Sequence, residues 1–121
     1  MPSILVVDDS NTTRLALKTV LTQAGYTVEE AKDGEEAIQK VMTLPKFNAI
    51  ITDLNMPKID GIGFIKEVRV FPEYRFTPIL MLTTEGVLAK KEEGKRAGAT
   101  GWIVKPFTPD QLLAVLKKVQ I

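Results

Sequence analysis

The chain contains no cysteine and no histidine. Without cysteine it has no disulfides, no thiol catalysis and no thiolate metal site. Without histidine it has no imidazole zinc site, no Ser-His catalytic pair and no phosphohistidine of its own. Any metal must therefore be held by oxygen, which favours a hard cation such as Mg²⁺. Charge of one sign is also missing: 16 basic residues nearly cancel 15 acidic ones, so no bulk electrostatic grip on nucleic acid or membrane is expected. The chain shows neither a signal peptide nor a membrane-length apolar run, and the cytoplasm is the expected location. Its 121 residues are enough for one domain with a proper core and too few for two, so residues 1–121 are read as a single domain.

What is present is a strict alternation of short apolar runs and helical stretches. Ile4–Val7 is a buried-strand run ending at Asp8 and Asp9. Thr12 to Ala24 has helical spacing, with Leu15, Val20 and Leu21 assigned to a common face and Leu17 beside it, and Gly25 as the stop. Tyr26–Ala31 is more polar and suits an edge strand. Asp33, with Glu36 three residues on, opens a helix through Ala37, Ile38 and Val41. Phe47–Thr52 leads a third strand into Asp53. The loop Asn55–Gly61 follows, then a helix carrying Phe64, Ile65 and Val68. Pro78–Leu82 is a fourth strand reaching Thr83 and Thr84. Val87–Ala97 is a helix closed by Gly98, and Gly101–Val104 is a fifth strand ending at Lys105. Thr108, Pro109 and Gln111 make a strong helix start, and Leu112, Leu113, Val115, Leu116 and Val119 supply the apolar face. Five strand–helix units of this kind predict a parallel sheet covered on both faces, a doubly wound three-layer α/β sandwich.

In such a sheet, ligands bind beyond the carboxyl ends of the strands. The residues at those ends are Asp8, Asp9, Asp53, Thr83, Thr84 and Lys105. Clustered carboxylates repel and raise one another's pKa unless a cation compensates, so the acids themselves argue for a divalent metal, Mg²⁺ by the nature of its oxygen ligands. A carboxylate such as Asp53 can act as a nucleophile towards phosphorus. Mg²⁺, the Lys105 ammonium and the Thr83 hydroxyl suit the phosphoryl oxygens, and phosphoryl transfer needs positioning and charge more than acid–base work.

Asp8-Asp9, Asp53-Leu54-Asn55-Met56-Pro57 with Asp60-Gly61, Thr83, and Lys105-Pro106-Phe107 resemble, in order and spacing, the receiver domain of two-component response regulators. The resemblance covers essentially the whole chain. It implies a flavodoxin-like five-stranded sheet in the order 2-1-3-4-5 with five helices. It makes Asp53 the phosphoacceptor and gives Mg²⁺ to Asp9, Asp53 and the Asn55 main-chain carbonyl, with Asp8 acting through water. Thr83 then follows the phosphoryl group, Lys105 binds it, and the Lys105–Pro106 bond is cis. Three residues before the lysine the family has a switch aromatic, here Trp102, which turns inward on phosphorylation. Strand alternation puts Trp102 on the opposite face from Ile103.

Within the family the chain is most similar to the stand-alone chemotaxis regulators of the CheY type. The cues are Asn55, Glu85 and Lys90-Lys91-Glu92, while Gly86, Val87 and Leu88 depart from the usual chemotaxis pattern. By resemblance, Asn55 and Glu85 tune how fast water removes the phosphoryl group. The implied partners are a CheA-like histidine kinase as phosphodonor, a flagellar motor switch protein or other output protein, and a phosphatase. A monomer that turns over no external substrate is expected. The helix after Thr84 reads as the weakest, with Gly94 inside it and a thin apolar face. That helix, the fifth strand and the last helix together form the expected output face.

Other readings stay open on the residues alone. One is a phosphorelay shuttle or phosphate sink passing phosphate to a histidine phosphotransfer domain. Another is an aspartyl-phosphate phosphatase of the haloacid-dehalogenase type, which wants a second aspartate where Asn55 stands. A third is a flavin carrier, against which the Asp8-Asp9 pair argues because it repels an uncompensated phosphate.

Overall fold

Ile4, Leu5, Val6 and Val7 are all buried and alternate between two cores, Leu5 and Val7 in one and Ile4 and Val6 in the other. A strand buried on both faces is what a parallel sheet between helix layers requires. The computed structural model describes residues 2–84 and 88–119, with only the backbone at Leu88 and Ala89. Over that span the order is β1 (Ser3–Val7), α1 (Asn11–Gln23), β2 (Thr27–Ala31), α2 (Gly34–Thr43), β3 (Ala49–Asp53), α3 (Gly61–Val70), β4 (Ile79–Thr84), α4 (Leu88–Ala97), β5 (Gly101–Lys105) and α5 (Pro109–Lys118). A short 3-10 turn, Pro72–Tyr74, precedes β4 and is not evident from periodicity. The strands form one sheet in the order β2-β1-β3-β4-β5, with every pairing parallel. This is the flavodoxin-like doubly wound arrangement.

The α1 and α5 side chains Leu17, Leu21, Leu112 and Leu116 cover one face of the sheet. Ala37 and Val41 of α2, Phe64, Ile65 and Val68 of α3, and Ala97 of α4 cover the other. Leu15 does not share the buried face of α1. It is 64% exposed, while Leu17 and Leu21 are fully buried. Those two lie four apart and stack on one side of the helix, and Leu15 falls outside their stripe.

Four helices begin with a side-chain cap at the carboxyl edge of the sheet. Ser10, Asp33, Asp60 and Thr108 accept from the amides of Thr13, Glu36, Gly63 and Gln111 respectively. Each such cap stabilises its helix by about 1 kcal/mol. Thr108 and Gln111 form the full reciprocal box. The Glu36 carboxylate instead accepts from the Lys32 amide.

α4 is seated differently. Gly94 is buried, and a Cβ placed on it would overlap the sulfur and terminal methyl of Met81. The glycine therefore lets the helix backbone close onto β4. At the far end, Arg69 of α3 donates from Nη2 and Nε to the Gly98 carbonyl at 2.7 and 3.1 Å. This fastens the C-terminus of α4.

Candidate functional site

β1 and β3 are neighbours, with Val7 opposite Thr52. The residues that follow β1 therefore stand beside the end of β3. The carboxylates of Asp8, Asp9 and Asp53 each bring an oxygen within 4.8 Å of the others. β5 runs beside β4, Thr84 opposite Lys105, and delivers the lysine ammonium to the same place. Lys105 Nζ lies 3.1 Å from Asp8 Oδ2 and 3.2 Å from Asp53 Oδ1. Residues separated by nearly the whole chain are thus brought into direct contact by strand order.

The three acids are not equivalent. Asp8 is fully buried, and both its oxygens are used, Oδ1 by the Ser10 amide at 2.8 Å and Oδ2 by Lys105. Asp53 is buried, and its Oδ1 accepts from the Leu54 amide at 2.9 Å and pairs with Lys105. Its Oδ2 has no partner among the described residues. Asp9 is exposed and makes no hydrogen bond or ion pair there. Burial pushes the Asp53 carboxyl above its usual range, and the Asp8 charge adds to this, against the opposing pull of Lys105 and the Leu54 amide. Burial works against the Lys105 charge, yet the Asp53 and Asp8 carboxylates hold its pKa above the ordinary lysine value.

The surrounding loops are shaped to keep this geometry. A Cβ on Gly61 would overlap the Asp53 carbonyl, and the Gly61 amide donates to the Leu54 carbonyl at 2.9 Å. Only glycine lets α3 start so close to the end of β3. Arg14 donates to the Asp8 carbonyl and to Asn11, and pairs with Glu30, bracing the turn that carries the acids. Lys58, at φ 71° in the β3–α3 loop, pairs with Glu35 at 2.8 Å. Ser10, Arg14, Lys58 and the Leu54 amide carry no motif signal in the sequence, since their roles depend on contacts between loops.

Thr83 is buried at the end of β4 opposite Val104, and its hydroxyl donates to the Thr84 carbonyl at 3.2 Å. Asn55 is exposed and its side chain makes no hydrogen bond among the described residues. Glu85, with Gly86 and Val87, lies outside the described residues. The Lys105–Pro106 bond is cis. Trp102 is half-buried, opposite Met81 in the register, and packs against the α2–α3–α4 core, while Ile103 belongs to the other. Above its ring, at 4.6 Å, sits the Lys91 ammonium.

An all-oxygen donor set whose exposed member, Asp9, has no partner among the described residues fits a hard cation. The lysine beside it fits an anion bearing several oxygens.

Residues 4–117 match the response regulator receiver domain family. The chain is 42% identical over 117 residues to the chemotaxis protein CheY1 of Helicobacter pylori strain J99, covering 96% of this chain and 94% of that protein. It is equally 42% identical to a CheY homolog of Campylobacter jejuni, over 96% of this chain and 90% of that one. The solved structure of the chemotaxis response regulator CheY4 of Vibrio cholerae superposes with a TM-score of 0.93 at 51% identity, over 98% of both chains. Agreement in topology, in the strand-end residues and along nearly the full length of these relatives has one reading: the chain belongs to the response regulator receiver domains, of the CheY-like chemotaxis type, and so to two-component signalling.

Proposed function

We propose that this chain accepts a phosphoryl group on Asp53 from a histidine kinase and thereby switches a protein-binding face. The observation that supports this most is the state of the Asp53 carboxylate. One oxygen is held by the Leu54 amide and Lys105 while the other has no partner among the described residues. The free oxygen is the nucleophile. It forms an O–P bond as the P–N bond of the donor phosphohistidine breaks, and the departing imidazole nitrogen keeps the electron pair. The site stays competent without a base because an ionised carboxylate has no proton to lose.

Asp9, Asp53 and the Asn55 carbonyl would hold Mg²⁺, with Asp8 acting through water, and the metal when bound would supply positive charge to the phosphoryl oxygens. Lys105 pairs with another of those oxygens as a point charge. The Thr83 hydroxyl exchanges its local contact with the Thr84 carbonyl for a phosphoryl oxygen, pulling the end of β4 towards the site. Asn55 and Glu85 set the rate at which water removes the group. The chain promotes these steps on itself and turns over no external substrate.

The switched face is the one built by α4, β5 and α5. Trp102 stands between two grooves there, of about 560 and 480 Å³. Val115 lines both, with Lys95 and Lys118 at one end and Lys105 and Gln111 at the other. A flagellar motor switch protein is the proposed output partner and a CheA-like kinase the proposed donor. The protein works as a monomer in the cytoplasm. No helix among the described residues is long and apolar enough to cross a membrane.

Trp102 is the only tryptophan, so its emission reports this face alone. Titration with Mg²⁺ and then beryllium fluoride, a phosphoryl mimic, is expected to change it, with the mimic response lost in Asp53→Asn. A flat response to both, with no phosphate incorporated at Asp53 from a small-molecule phosphodonor, would refute the reading.

A further inference from the structure

Within α4 the side chains from Lys90 to Ala97 are described. Among the described side chains of this helix only Gly94 and Ala97 are buried, both in its second half. Arg69 fastens its C-terminal end at Gly98. Towards the other end, Lys91 lies with its ammonium 4.6 Å from the centre of the Trp102 ring. No carboxylate among the described residues pairs with Lys91, whereas its neighbour Lys90 pairs with Glu93 at 3.4 Å. The free cation over the ring face is an attractive contact in its own right.

We propose that Lys91 is a latch that holds the Trp102 ring in its resting position and couples α4 to β5 until the receiver is activated. The inference rests on the proposed role of Trp102 as the ring that moves on phosphorylation, and adds the residue that sets its resting position. The chemistry suits a latch. A cation–π contact at a half-exposed ring is strong enough to bias a two-state equilibrium by about 2- to 5-fold. That is far below what a phosphoryl group with its charge-assisted contacts can supply, so the latch yields when the acceptor is loaded. The geometry suits it too. Met81 lies under Gly94 and opposite Trp102, so helix, ring and β4 share one contact. A ring leaving its place under Lys91 releases this contact between α4 and β5, while Arg69 keeps the C-terminal end of α4 fixed.

The test uses the whole protein and three versions of it: wild type, Lys91→Met, which keeps the stem and removes the charge, and Lys91→Arg, which keeps a cation for the ring. In metal-free protein, iodide and caesium quenching of Trp102 are compared. An ammonium over the ring attracts iodide and repels caesium, so the iodide-to-caesium ratio is expected to fall in Lys91→Met and to be retained in Lys91→Arg. Beryllium fluoride with Mg²⁺ is then expected to bind Lys91→Met about 2- to 5-fold more tightly than wild type, and Lys91→Arg like wild type. An unchanged quenching ratio in Lys91→Met overturns the latch. A changed ratio with unchanged mimic affinity overturns it as part of the switch. Wild type that binds no mimic at all instead overturns the receiver reading, and the latch's switching role with it. The quenching comparison, made without mimic, tells this failure apart from the failure of the contact itself.

Discussion

Lys105→Met removes the only cation paired with the carboxylates of Asp8 and Asp53 among the described residues. At an effective dielectric of 20, unit charges at the observed 3.1 and 3.2 Å attract by about 5 kcal/mol each. Carboxylate oxygens within 4.8 Å repel by about 3.5 kcal/mol or more per pair. The two attractions are thus comparable to the three repulsions together, and the lysine is what makes the acidic edge tolerable without metal. Removing one partner of a buried pair costs about 3–5 kcal/mol. Lys105 is 24% exposed, so water relieves part of the strain and the lower end, about 3 kcal/mol, is expected in metal-free buffer. That corresponds to a drop in Tm of about 10–15 °C. Mg²⁺ then becomes the replacement cation. The variant should bind it more tightly than wild type, because no ammonium competes. At about 100 times its Kd the metal returns about 2.7 kcal/mol. Urea unfolding of both proteins, in chelator and across a Mg²⁺ series, measures both effects. A variant as stable as wild type in chelator, or a stability gap that widens with Mg²⁺, would refute the claim that Lys105 stands in for a metal at this site.

Three further outcomes follow from the same structure. Because the folded-state pKa of Asp53 lies above 3.8, ionisation of Asp53 opposes folding. The stability its protonation confers is full below the unfolded pKa and lost as pH rises through the folded one. Asp53→Asn should therefore be the more stable protein in chelator at pH 7, with the gap closing as pH falls through the raised Asp53 value. A gap independent of pH in urea titrations would contradict this. Thr77 is buried with its hydroxyl unpartnered among the described residues, so Thr77→Val should be neutral or stabilise by about 1 kcal/mol, and a loss above 1 kcal/mol would mean that the hydroxyl has a partner. Gly94→Ala gains about 1 kcal/mol of helix propensity but pushes a methyl into Met81 at a cost of about 1–3 kcal/mol, so unfolding should show no gain or a modest loss.

Much of the fold is legible in the sequence because parallel strands declare themselves. Ile4–Val7 and Pro78–Leu82 are continuous apolar runs of strand length, and each ends on a polar residue where the sheet meets solvent. The site is legible for the same reason, since Asp8, Thr83 and Lys105 are each the first polar residue after such a run, with Asp9 and Asp53 one residue further on. What strand ends cannot reveal is which oxygen is free. That Asp8 has both oxygens satisfied while Asp53 keeps one open depends on the Ser10 and Leu54 amides, and backbone donors have no signature in residue type. Leu15 shows a second limit. A helix of low amphipathicity offers several apolar stripes, and only the sheet it packs on decides which is buried.

Gly94 shows how a correct local rule can give an incomplete account. Glycine within a helix does weaken it relative to alanine, and taken alone it marks α4 as the loose element. In the folded chain the same glycine is the place where α4 comes closest to β4, with the Met81 sulfur occupying the space a Cβ would need. The glycine is therefore a seat for α4 on β4 as well as a cost to the helix. Among its described side chains, Lys90 to Ala97, the buried positions are one glycine and one alanine, which bury little apolar area whatever the helix propensity. Burial stabilises by roughly 25 cal/mol per Å², so over these residues the named contacts carry weight, Arg69 at one end and Lys91 on Trp102. An element fixed by two points can pivot when one is released and stay folded, which a helix seated on a broad apolar face cannot do without losing that face. The alanine variant at Gly94 weighs the two roles of the glycine. If its propensity cost outweighs its close seat on β4, alanine should stabilise the protein; if the seat matters more, the collision with Met81 should cancel or exceed the gain.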